Sequence, residues 1–92
     1  MRVDGAVEAI EIDLHGTAVP VPRDVVSALA AAAAARAGIS ARHRDLSLLL
    51  GRALETGLPV VLDRWEGRAL RAVIEEEHPG RFGPAAAELL RV

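Results

Sequence analysis

Ile10, Ile12 and Leu14 alternate with Glu11 and Asp13 inside the stretch VEAIEIDLHGTAVPV, residues 7–21. A period of two is that of a strand with one wet face. A two-residue turn at His15-Gly16 pairs Leu14 with Thr17, Ile12 with Val19 and Ile10 with Val21. In this register Ile10, Ile12, Leu14, Val19 and Val21 share the core face, and Glu11 and Asp13 share the other. Pro20 has no N–H to give to a ladder, so the second strand belongs at an edge.

The period then changes to that of a helix. Pro22 opens it, Asp24 sits in its first turn, and Val25, Val26, Leu29, Ala32 and Ala33 form one stripe. Gly38 is the expected terminator. Ser40 is the N-cap of a second helix over residues 41–56, with Leu46, Leu49, Leu50, Ala53 and Leu54 as its apolar face and Gly57 as its stop. Leu48 lies off that stripe, about 100° from Leu49 and about 200° from Leu46 or Leu50. Residues 58–63, LPVVLD, form a short buried strand.

The next segment fits two readings. Asp63 and Glu66 make a capping box for a helix that lines up Trp65, Ala69, Leu70, Val73 and Ile74. Alternatively a turn at Glu66-Gly67 leads into a strand in which Leu70, Ala72 and Ile74 alternate with Arg71 and Val73. The helix is preferred, although Gly67 lies inside it and three glutamates crowd its negative end. After a break at His78-Pro79-Gly80, residues 84–90 form a last helix. The expected fold is α+β: an N-terminal β-hairpin, two helices, a short third strand and one or two C-terminal helices, as a single domain over residues 1–92.

Composition narrows the chemistry. The chain has 92 residues, of which 51% are hydrophobic, yet Trp65 and Phe82 are its only aromatics, so the core must be aliphatic. It has no Cys, Lys, Asn, Gln or Tyr. An arginine-only, alanine-rich alphabet is that of a high-GC genome and points to a bacterial protein. Without cysteine there is no disulfide, thiolate nucleophile or cysteine zinc site. The first residues lack the apolar stretch of a signal peptide. The longest apolar run, residues 28–35, is too short to span a bilayer. A soluble, cytoplasmic protein without membrane contact is expected.

Charge is unevenly spread. Residues 1–35 carry two arginines against five acids, residues 36–52 four arginines against Asp45 alone, and residues 53–92 five arginines against seven acids. Arg36, Arg42, Arg44 and Arg52 therefore form the only basic zone, suited to phosphates or to an acidic protein surface. A solvated charged face is nonetheless the preferred reading of these four. Without Asn or Gln, bidentate reading of adenine is closed to this chain. Two aromatics make no stacking platform for single strands.

Candidate catalytic groups do not assemble on paper. His43-Arg44-Asp45-Leu46 resembles the start of a protein-kinase catalytic loop, but that family's pattern places an Asn where this chain has Leu50, and it requires a lysine. His43 and Ser47 share a helix face, whereas Asp45 points about 160° from Ser47 and cannot orient that histidine. Glu11, Asp13 and His15 could hold a divalent ion, but the wet face of a hairpin, with His15 in its turn, is the preferred reading. No catalytic residue, cofactor or metal is expected.

A longer segment carries a family resemblance. Residues 45–74, DLSLLLGRALETGLPVVLDRWEGRALRAVI, resemble antitoxins of the Phd/YefM type, with Gly57, Pro59-Val60-Val61, Arg64 and Gly67-Arg68 in the family's positions. The spacing from Arg64 to Gly67 is longer than the family's, and the hairpin and first helix are foreign to it. The resemblance implies a strand over residues 68–74 and a dimer that binds operator DNA and a toxin partner.

The expected function is that of a small non-enzymatic interaction or regulatory protein, homodimeric, with antitoxin-like action as the resemblance's contribution. The dimer interface is expected at Leu46, Leu48 and Leu49, because one thin core cannot cover all sides of that helix. One alternative is a DNA-binding transcriptional regulator using the zone from Arg36 to Arg52. A small enzyme is the other, without a motif in its favour.

Overall fold

The computed structural model describes residues 9–92. The fold is α+β. Strand β1 (Ala9–Leu14) turns into β2 (Thr17–Pro22), followed by helices α1 (Arg23–Ala34) and α2 (Ala41–Thr56). Strand β3 (Val60–Leu62), helix α3 (Arg64–Glu76), a 3-10 turn at Pro79–Arg81 and helix α4 (Pro84–Arg91) complete the chain. The sheet order is β2-β1-β3, with β2 antiparallel and β3 parallel to the central strand. Residues 7 and 8 of the expected first strand lie outside the described residues.

The hairpin has the register that the alternation predicts: Leu14 faces Thr17, Ile12 faces Val19 and Ile10 faces Val21. All the core-face residues except Thr17 are buried. His15 and Gly16 both have positive φ, 54° and 87°, which matches the hairpin twist. The Asp13 carboxylate holds the turn by accepting the Gly16 N–H at 2.9 Å. Pro20 and Pro22 face Glu11 and Ala9. They share one phase of the ladder, so the bonding positions fall to Thr17, Val19 and Val21. The same prolines remove donors from the outer edge of β2, which protects it from pairing with another strand.

The inner face of the sheet and the helices enclose one aliphatic core with Leu29, Leu46, Leu50, Leu70, Ile74 and Leu89 fully buried. Helix α2 begins at Ser40, whose Oγ accepts the Arg42 N–H, and ends at Gly57 with φ 75°. Helix α3 has the full capping box: Asp63 accepts from Glu66 N at 2.8 Å, and Glu66 accepts from Asp63 N at 3.0 Å. Residues 68–74, a strand by the family resemblance, are helical. Gly67 fits this helix because a Cβ there would stand 3.1 Å from Leu14 Cδ2, so α3 presses directly onto β1.

Helix α1 departs from expectation. It stops at Ala34 rather than at Gly38, and Gly38 does not take the left-handed conformation of a terminating glycine. Its last turn has no basic residue. Instead Arg36, just beyond it, folds back and donates Nη1 to the Ala32 carbonyl at 2.8 Å. Two other helix ends are closed in the same way by arginines from elsewhere. Arg23 donates to the Leu54 carbonyl of α2, and Arg71 donates to the Leu90 carbonyl of α4 at 3.0 Å. Each satisfies a carbonyl left without a partner by the end of its helix.

Candidate interaction surface

Helix α2 has two unlike sides. Leu46 and Leu50 are fully buried beneath it, while Leu48 is 65% exposed. Leu46 therefore leaves the expected interface set: its side of the helix faces the core. Leu49 is half-buried between the two sides. The last helix does not cover Leu48.

Exposed apolar residues continue onto the next elements. Leu58 lies in the loop before β3, Val61 is the outward residue of β3, and Trp65 stands in the first turn of α3; they are 64%, 69% and 46% exposed. A shallow groove of ≈ 220 Å³ joins Leu49 and Arg52 of α2 to Leu58 and Val61. A second, of ≈ 250 Å³, is bounded by Asp45, Leu48, Leu49, Arg52 and Glu66. A third, of ≈ 340 Å³, lies on the other side of Leu48 against Ser47, Gly51 and Glu55. Leu48 is thus a ridge between two hollows.

Trp65 was expected on the core stripe of α3. It is instead half-exposed, with two guanidinium groups stacked on its ring, Arg42 at 4.8 Å and Arg68 at 5.2 Å from the centroid. Such stacking favours the ring's negative face and keeps both cations above it. Sequence reasoning missed this role because Trp65 also fits the apolar spacing. The signal was Arg68, one helical turn after the tryptophan.

The four arginines of the basic zone separate. Arg42, Arg44 and Arg52 are exposed along α2. Arg36 is drawn away: Nε donates to Glu76 and Nη2 to Glu77, each at 2.8 Å. Glu77 also accepts from Arg81. The Arg36 hydrogen bond holds the Glu77 carboxyl below its ordinary range, and the glutamates raise Arg36. Among the described residues, Arg42, Arg44, Asp45, Arg52 and Glu55 are in no ion pair.

The other candidates stay apart. Ser47 donates to the Arg44 carbonyl at 2.8 Å, and the buried ring nitrogens of His43 have no hydrogen-bond partner, so the two do not form a nucleophile–base pair. Asp13 is committed to its turn, and among the described residues no group of three acidic or histidine side chains gathers as a metal site. A hollow of ≈ 600 Å³ between β2 and α4 is lined mostly by small apolar residues and prolines. Its one carboxylate, Glu88, accepts from Arg91 at 2.6 Å. Among the described residues no helix is long and apolar enough to cross a membrane. Comparison with protein-family models, curated proteins and solved structures finds no match to this chain.

Proposed function

We propose that this chain is a non-enzymatic interaction protein, homodimeric and regulatory, which works through the face formed by α2, β3 and the start of α3. The observation that carries the reading is the run of exposed Leu48, Leu58, Val61 and Trp65 on neighbouring elements. Contiguous apolar surface of this kind marks an interface on a small protein. Aromatic and arginine residues, here Trp65 with Arg42 and Arg68, are the types that anchor such contacts. The antitoxin-like form of this reading rests on residues 45–74, which include the whole face apart from Arg42.

A second reading, binding of duplex DNA, draws on the exposed Arg42, Arg44, Arg64 and Arg68 around the α2 and α3 starts. Asp45 and Glu66 line one hollow of the same face with Arg52, Glu55 lines another, and these carboxylates oppose a phosphate backbone.

Trp65 is the chain's only tryptophan, so its fluorescence reports on this face directly. The expected outcome is a dimer at micromolar concentration by sedimentation. Its tryptophan emission changes on dilution and is unmoved by duplex DNA at low salt. A monomer at every concentration, with emission quenched by DNA in a salt-sensitive way, would transfer the function to the second reading.

A further inference from the structure

Helix α2 is complementary to itself in an antiparallel arrangement. It spans residues 41–56, so its midpoint falls between Leu48 and Leu49. Asp45 and Arg52 lie on either side of that midpoint, seven residues apart. By helical geometry they are about 20° apart around the axis and about 10 Å apart along it. They share a face but are too distant to pair within one chain. Arg42 and Glu55 are equally far from the midpoint but about 140° apart around the axis, so they fall on opposite flanks of that face.

We infer that the partner on this face is a second copy of the chain, packed with its α2 antiparallel about a twofold axis through the midpoint. The inference rests on the protein–protein reading above and gives it a geometry. A twofold contact is isologous: if residue i meets j, then j meets i. In this register Asp45 meets Arg52 of the other copy, and the pair occurs twice. Leu48 stands next to the axis and meets Leu48 of the other copy.

Other alignments of the same helices are worse. A parallel pair sets Arg52 beside Arg52 and Asp45 beside Asp45. Sliding the antiparallel pair by one residue removes the Asp45–Arg52 pairs, and in one direction it brings Arg44 level with Arg52. Like charges across such a contact are destabilising and exclude those alignments. Trp65 and Val61 flank the helix pair and add the area that two short helices alone lack.

The test is a charge exchange read by sedimentation, with melting curves to confirm that every variant folds. Asp45 and Arg52 are exposed, so each can be replaced without touching the core. Asp45→Arg and Arg52→Asp should each weaken the wild-type dimer about tenfold, and the double variant Asp45→Arg/Arg52→Asp should restore it. A wild-type dimer that the double variant fails to restore overturns this geometry while leaving the interaction reading in place. A wild-type monomer throughout overturns both.

Discussion

Gly51 and Gly67 both sit inside helices, where glycine is ordinarily a weakness, and their surroundings give them opposite consequences. A Cβ at Gly51 meets nothing within 4 Å, whereas one at Gly67 meets the buried Leu14. Gly51→Ala should therefore stabilise the fold by about 0.5–1 kcal/mol through helix propensity alone. Gly67→Val should destabilise it by about 1–3 kcal/mol through overpacking. Urea midpoints of the two variants check both signs, and a Gly67→Val protein as stable as wild type would mean that α3 does not press on β1. The arginines divide just as sharply. Arg23, Arg36 and Arg71 close helix ends, while Arg42 and Arg68 stack on Trp65. Sequence spacing could not sort them, because a guanidinium on its long stem is assigned by what stands near it in space.

Among the strands and helices, the legible features were those that neighbours in the chain decide. The β1–β2 register followed from period two and a two-residue turn. The α3 start followed from Asp63 and Glu66, three residues apart. The end of α1 was not legible, since Arg36 answers to Glu76 and Glu77 about forty residues away. The candidate surface was half legible: Leu48 stood out by its angle on α2, but Val61 and Trp65 needed the fold to bring them alongside. The Arg36–Glu77 tie also has a pH signature. The Glu77 carboxyl is held below its ordinary value, so the unfolded chain takes up that proton first. Its contribution to stability is present above the ordinary glutamate value, about 4.3, and is lost as pH falls through the lower folded value. Arg36 stays charged across that window. Urea midpoints measured between about pH 7 and about pH 3 should fall less steeply on the acid side for Glu77→Gln than for wild type. Identical acid limbs would show that the tie does not persist in solution.

Across the complete fold, the central strand bonds to two partners at very different distances along the chain. Ile12 faces Val19 across a tight turn and Val60 across the entire α1–α2 hairpin. Nearby contacts close at little entropic cost, and distant ones wait for the intervening chain to be ordered. The sheet should thus assemble in sequence, β2 onto β1 before β3. Val19→Ala should slow folding, and Val60→Ala should mainly speed unfolding, as stopped-flow traces of Trp65 emission would record. Equal slowing of folding by both variants would mean that the three strands condense together. If β3 does arrive last, so do Leu58 and Val61 beside α2. A partly folded chain then lacks the face proposed for pairing with a second copy, and such pairing would wait until folding is complete.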